Sequence, residues 1–336
     1  MTLRQWAVAF LLTLAAALAT IFGTVAVQAH PHDNSDIAQP TLESAGLTVE
    51  QLADGVYGLL ASTDFPVEDP NAAICNGGIV IGDDGVLVID AFQNEALASL
   101  MFDTVASLTD QPIRYVLNTH YHFDHSGGNA SANALGYPLI GRGPIRELML
   151  ERNLEQDPNA APPEMVINGV SEVWLGERQV QLVAFDGHSG GTDLIAYVPD
   201  VDVMVAGDLL FTQRIPYLGD ANIRVWQATL EQLAADYGAA TLLAGHGPVS
   251  DRTDLETLQG YLETLEAMAL GWKEQGLSQE EAIAQAELPE QYSDYLFQGL
   301  FSGNLEVAYQ QITLGNDDAA SIQGYFQAQT PALRAL

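Results

Sequence analysis

Between Asn118 and Asn129 the chain reads NTHYHFDHSGGN, which places His120, His122, Asp124 and His125 directly after an apolar, β-branched run. In an extended segment alternate residues face the same side, so His120 and His122 can grip one metal ion together. Asp124 and His125 fall where Ser126-Gly127-Gly128 lets the chain turn, and can face a second ion. Three later apolar runs end in the same residue types: His188 in FDGHSGGTD, Asp208 in VMVAGDLLF and His246 in LLAGHGPVS. Glycine beside each of them allows a sharp turn, so that the side chain projects from a strand end into a shared cleft. The set divides into His120, His122 and His188 for one ion and Asp124, His125 and His246 for the other, with Asp208 placed to bridge both. Imidazole with carboxylate suits zinc, and manganese, iron or cobalt can occupy the same donors. Every histidine after residue 32 belongs to this set, whereas His30 and His32 lie in a polar tail and are not expected to ligate.

Two close ions can share a hydroxide whose parent water is strongly acidified, while one of them polarises a carbonyl oxygen. Asp124 would orient that hydroxide and later pass on its proton, making Asp124 the catalytic residue of the set. The expected reaction is hydrolysis of a small molecule: an ester, thioester, lactone or lactam.

Such a set needs strands whose ends converge. Thr48 to Ala61 alternates as strands do, and ASTDFPVEDPNAA after it has loop composition, a candidate flap in which Phe65 would cover an apolar substrate group. GGIVIG and VLVID flank Asp83-Asp84-Gly85, a hairpin signal, and Asp90 ends the second run. Residues 93–109 carry helical apolar spacing, and IRYVLNT over 113–119 is another strand. VQLVAF, DLIAYV, VMVAG and TLLAG add strands, with helices expected over 222–236 and 252–274. LSQEEAIAQAEL and NLEVAYQQI are amphipathic helical patterns without histidine, expected to form a helical appendage. No internal repeat interrupts this order, so one domain with terminal additions is expected.

The composition limits what else the chain can do. With 44 acidic residues against 11 basic ones, of which only Lys273 is a lysine, the surface repels phosphate backbones, and a nucleic-acid partner is not expected. Such acidity suits salty surroundings. Arg4 precedes an uncharged, mostly apolar run from Gln5 to Ala29, and Val27-Gln28-Ala29 offers small residues for cleavage. An exported, periplasmic or secreted protein starting at His30 is expected, without a membrane span in the mature chain; an uncleaved N-terminal anchor is the alternative. Cys75 is the single cysteine, so no intrachain disulfide can form, and its strand-like surroundings mark it as a small buried hydrophobe.

The run from His120 to His125, followed by separated histidine, aspartate and histidine, resembles the metallo-β-lactamase superfamily. The resemblance covers roughly residues 45–260. It implies an α/β fold, a four-layer αββα sandwich with a dinuclear zinc site at one edge of its two sheets. It also implies that Asp90 supports the site from behind the ligands. The chain then divides into a signal peptide at 1–29, a flexible linker at 30–44, the metallo-β-lactamase-like domain at 45–260 and a helical extension at 261–336. Cysteine-bearing lactamases of the superfamily carry thiolate where this chain has Asp208, so the resemblance points to glyoxalase II and lactonases rather than to that subclass. Glyoxalase II holds glutathione with basic residues near its C-terminus, and after His246 this chain has only Arg252, Lys273 and Arg334. The lactonases place a tyrosine close after the bridging aspartate, where this chain has Phe211. GDLLFTQRIPYLGD followed by AGHGPVSD is similar to exported zinc hydrolases that accompany quinoprotein dehydrogenases. Arg214 within that run is expected to clamp a substrate carboxylate. A mononuclear iron dioxygenase of the same fold and a β-lactamase proper remain the alternatives.

Overall fold

Most strand candidates of this sequence are apolar at consecutive positions, the pattern of strands covered on both faces. The computed structural model describes residues 39–62, 69–154 and 158–315 and shows how both faces are covered. The expected signal peptide and the flap residue Phe65 lie outside the described residues. Seven strands form the first sheet in sequential order: β1 (Leu47–Ala53), β2 (Val56–Ala61), β3 (Gly77–Ile81), β4 (Val86–Ile89), β5 (Ile113–Leu117), β6 (Leu139–Arg142) and β7 (Met165–Ile167). Five form the second: β8 (Val170–Leu175), β9 (Arg178–Ala184), β10 (Leu194–Val198), β11 (Val203–Phe211) and β12 (Thr241–His246). Pairing is antiparallel from β1 to β4 and parallel from β4 to β7. In the second sheet β8 to β11 are antiparallel and β12 runs parallel to β11.

The period-two alternation sorts residues into three cores. Val80, Leu87, Ile89, Leu117 and Ile140 meet Leu182, Ala196, Val203, Val205 and Leu243 between the sheets. Their neighbours Ile79, Val88, Val116 and Leu139 face outward against Leu97, Met101 and Val105 of α1 (Glu95–Leu108). On the far side, Ile195, Met204, Leu242 and Ala244 pack under α5 (Ile223–Tyr237) and α6 (Arg252–Gln275). Helix, sheet, sheet, helix is therefore the layer order, as the resemblance implied. Short helices α2 (Phe123–Ser126), α3 (Asn129–Ala134) and α4 (Ile145–Leu148) lie between β5 and β7, and α4 continues as a π turn over Met149–Asn153.

The C-terminal region adds α7 (Gln279–Gln285) and α8 (Leu300–Ala308). The division expected at 260/261 falls inside α6, whose Leu255, Leu258, Tyr261, Leu262, Leu265 and Trp272 are buried on both sides of it. One core thus holds the second sheet, α6 and Phe301 and Leu305 of α8, and apolar burial on this scale binds the helices to the sheet as one layer. Of the expected linker, residues 39–44 are described, and Ala45 N donates to Thr41 O at 2.8 Å to close a turn.

β4, β5, β9, β11 and β12 all end at the same edge of the sandwich, and two sets of bonds stitch the sheets together there. Leu194 N donates to Thr119 O at 2.8 Å. Asn76 Nδ2 donates to the carbonyls of Ala244 and Gly247 at 3.0 and 2.8 Å while its Oδ1 accepts from Ala61 N at 2.9 Å. Among the described residues no helix is long and apolar enough to cross a membrane.

Candidate metal centre

Every one of the seven expected ligands reaches this edge. β5 ends at Leu117, and the extended residues after it carry His120 and His122 to the site; α2 turns Asp124 and His125 in beside them. His188 comes from the turn between β9 and β10, Asp208 from β11 and His246 from the end of β12. The donor atoms of His120, His122, His188 and Asp208 lie within 4.8 Å of one another, and so do those of Asp124, His125 and His246.

Asp208 joins the two groups with its two oxygens. Oδ1 lies 3.1 Å from His125 Nε2 and 3.3 Å from His246 Nε2, while Oδ2 lies 3.6 Å from His120 Nε2 and 3.9 Å from His188 Nε2. Asp124 Oδ2 lies 3.4 Å from His125 Nε2 and 3.3 Å from His246 Nε2. Gly207 is what lets Asp208 sit there: its φ of +54° breaks the β11–β12 register, and a Cβ would run into the Thr119 side chain.

The ring nitrogens turned away from the site identify the ones turned toward it. Asp90 accepts from Thr119 N and Thr119 Oγ1 at 2.8 and 2.7 Å, and from His125 Nδ1 at 2.9 Å. Because the Thr119 hydroxyl donates to Asp90, it accepts from His120 Nδ1 at 3.0 Å. His246 Nδ1 donates to Ile74 O at 3.1 Å. His120, His125 and His246 therefore present bare Nε2 atoms, and His122 presents Nδ1, 2.9 Å from His120 Nε2. Asp90 touches His125 directly and reaches His120 through Thr119. It does so from φ +55°, a conformation that costs an aspartate about 1–3 kcal/mol and persists where its surroundings enforce it.

This donor set fits a pair of cations. His125 Nε2 and Asp208 Oδ1 are buried atoms without a hydrogen-bond partner, facing each other across 3.1 Å. Such atoms are costly unless a ligand satisfies them. Burial opposes ionisation of Asp124 and Asp208, yet the surrounding histidines outweigh it and hold both well below the carboxylate range. Burial likewise keeps His120 low and His188 down to about 3, so both rings stay neutral, as metal-donating imidazoles must. Burial also lowers His125 and His246, but the acidic groups around them lift both above their ordinary value. The carboxylates call for positive charge at this point, and metal held by these donors would supply it.

Arg214 lies elsewhere than expected. Its side chain is 4% exposed, with the guanidinium carbon 4.3 Å from the Phe297 ring and 5.6 Å from Phe211. Bonds from Ile215 N to Leu296 O and from Leu296 N to Gln213 O draw this segment beneath the C-terminal residues. There Arg214 borders a small cavity with Asp254, Tyr261 and Tyr292, behind the Phe211 ring that stacks on His246 at 5.3 Å. A substrate clamp on the open side of the site is not what this geometry provides.

Other residues of the site carried little signal in the sequence. Asp220 Oδ2 lies 3.0 Å from His122 Nε2 and is bonded to the Tyr121 hydroxyl, while Arg152 Nη1 donates to Asp220 Oδ1 at 2.7 Å. Asp193 accepts from the backbone N–H groups of His188 and Ser189 at 3.1 and 3.0 Å, fixing the turn that carries His188. Burial raises that carboxyl to about 6 despite these bonds. Only the run Gly190-Gly191-Thr192-Asp193 after His188 hinted at Asp193, since glycines with a nearby aspartate mark a turn. Cys75 is buried as expected, with Sγ donating to Asp124 O at 3.0 Å.

A four-layer sandwich with a paired histidine and carboxylate centre at its sheet edge defines a class of metallo-hydrolase. Residues 71–246 match the family model of the metallo-beta-lactamase superfamily, and the chain belongs to that superfamily as a metal-dependent hydrolase. It is 25% identical over 166 residues to metallo-beta-lactamase IND-1 of Chryseobacterium indologenes, covering 48% of this chain and 67% of that protein. It is 27% identical over 133 residues to a hydroxyacylglutathione hydrolase of Brucella ovis, covering 39% of this chain and 47% of the relative. The fold matches the solved metallo-beta-lactamase from Pontibacter korlensis with a TM-score of 0.56 at 20% identity, over 65% of this chain and 99% of that one.

Proposed function

We propose that the protein is an exported dinuclear zinc hydrolase that cleaves an ester, thioester, lactone or lactam of a small molecule. The observation that carries the two-metal reading is Asp208, which turns one oxygen to each donor group. His120, His122 and His188 would hold one ion, Asp124, His125 and His246 the other, with the Asp208 carboxylate common to both. Zinc suits this mixture of imidazole and carboxylate, and manganese or iron would find the same donors. When bound, the pair supplies an acidified water and a Lewis-acid contact for a carbonyl oxygen. The chain's own part falls first to Asp124, whose ionised carboxylate is 12% exposed against 4% for Asp208. It orients a water for attack and takes up its proton, then delivers that proton to the departing atom. Asp90, Thr119 and the Ile74 carbonyl keep the imidazoles aimed, so little reorganisation is left for the reaction itself.

Carboxylate rather than thiolate at position 208 favours a broad esterase, thioesterase or lactonase over a dedicated β-lactamase. The likeness to a hydroxyacylglutathione hydrolase supports thioesters, while the scarcity of basic residues after His246 disfavours glutathione conjugates. The test is a panel of lactones, thioesters, aryl esters and β-lactams with zinc-loaded enzyme, together with metal analysis of protein purified without added metal. Turnover abolished by chelator and by Asp124→Asn, with two ions per chain, is expected. One iron per chain with oxygen consumption would replace this reading by a mononuclear dioxygenase. Intact mass of protein recovered outside the cytoplasm tests export, since a mass retaining Met1 would remove the cleaved signal.

A further inference from the structure

His122 is backed by side chains that reach it from two other segments of the chain. Its Nδ1 faces the centre of the first donor group, 2.9 Å from His120 Nε2, and its Nε2 lies 3.0 Å from Asp220 Oδ2. Asp220, in the segment between β11 and α5, is held in turn. Arg152 Nη1 donates to its Oδ1 at 2.7 Å and also to the Tyr121 hydroxyl oxygen, and that hydroxyl donates to Asp220 Oδ2. The guanidinium lies over the Tyr121 ring, 5.1 Å from its centroid. Exposure falls from 22% at Arg152 to 9% at Asp220, so the carboxylate is shielded and its counter-charge stands at the rim. Three separate segments, at 121–122, 152 and 220, close this cluster.

We propose that Asp220, clamped by Arg152 and Tyr121, is a positioning residue that makes His122 bind through Nδ1 and sets the metal affinity of the first donor group independently of the second. The inference rests on the two-metal reading. A carboxylate that accepts the Nε2 proton leaves the Nδ1 lone pair facing the ion and fixes the ring's orientation. Arg152 holds that carboxylate in place by its ion pair, and its planar fork suits the task better than an ammonium would. The second group has its own carboxylate in Asp90, bonded to His125, so it does not depend on Asp220. Asp90 reaches the first group only through Thr119 and His120, and leaves His122 untouched.

The test uses the full chain stripped by chelator and titrated with zinc and with cobalt(II) against a chromophoric competitor. Wild type, Asp220→Asn, Asp220→Ala and Arg152→Met are compared. In Asp220→Ala one equivalent is expected to weaken by about 10–100-fold, the usual cost of losing an orienting partner, while the other keeps its wild-type affinity. The visible spectrum of the weakened cobalt equivalent should shift as His122 loses its fixed orientation. Asp220→Asn should fall between, since an amide oxygen still accepts the bond, and Arg152→Met should weaken the same equivalent by less. Equal weakening of both equivalents, as a general loosening of the fold would give, overturns the inference, and so does unchanged affinity at both. A wild-type protein that binds a single equivalent overturns the two-metal reading instead. In that case weakening of the single equivalent by Asp220→Ala upholds the role of Asp220, and its persistence refutes it.

Discussion

The two donor groups share Asp208 but are braced in different ways. His125 and His246 are backed by Asp90 and by the Ile74 carbonyl, deep groups that belong to the strand ends of the first sheet and the loop before β3. His122, 13% exposed at its side chain, is backed by Asp220 and Arg152, which arrive from the β11–α5 connection and from the β6–β7 connection of the first sheet. One group is preorganised by the core and the other is assembled where loops meet. The difference teaches that burial and ligand type do not by themselves make two donor groups alike. What lies behind each imidazole decides how readily its site can be altered without disturbing the other.

Removing what the two groups share has the largest expected effect. Asp208→Ala should lower kcat/KM by more than the roughly 100-fold usual for an orienting partner and should weaken both metal equivalents, measured by titration of the stripped chain. Loss confined to one equivalent would show that the carboxylate does not bridge. Asp90→Asn comes next, with about 10–100-fold weaker binding at the group containing His125 and a smaller loss at the group containing His120. The reverse order would break the comparison. Gly207→Ala forces a Cβ toward Thr119 at positive φ, so unfolding in denaturant should show a loss of about 1–3 kcal/mol, with both equivalents weakened together.

The smallest effect at neutral pH concerns Cys75, behind Asp124 in the deeper group. Burial pushes its thiol up to about 12, above the 9.0 of an exposed thiol. The folded chain therefore holds that proton more tightly than the unfolded chain. The associated stability is intact below pH 9 and is lost as pH rises toward 12. Alkylation of the native protein at pH 8 should be slow and should become fast on unfolding; rapid native reaction would show that this part of the core opens.

Much of the site was legible in the sequence because ligation demands particular residue types at particular strand ends. Asp90, His188 and His246 stand where apolar runs stop, His120 to His125 follow β5, and Asp208 lies within β11 beside Gly207; the strands and long helices around them follow from the apolar pattern. Asp220, Arg152 and Tyr121 were not legible, since an aspartate, an arginine and a tyrosine have many uses and these three meet only after folding. The stretch from Asn129 to Leu175 is built of short elements such as α3, α4 and β7, too brief for periodicity to show. Arg214 was misplaced because proximity to Asp208 in sequence says nothing about the pairing with Leu296 that turns it inward.

The core that unites α6, α8 and the second sheet has a consequence for how the chain is made. Synthesis delivers the first sheet and the four ligands between His120 and His125 early. The strands bearing His188, Asp208 and His246 follow with one face bare, because Tyr261, Leu265, Trp272, Phe301 and Ile312 are the last to arrive. A nascent chain halted before α6 carries every ligand but lacks the cover that holds three of them in place. A product truncated there would leave one face of the second sheet uncovered and open to proteolysis.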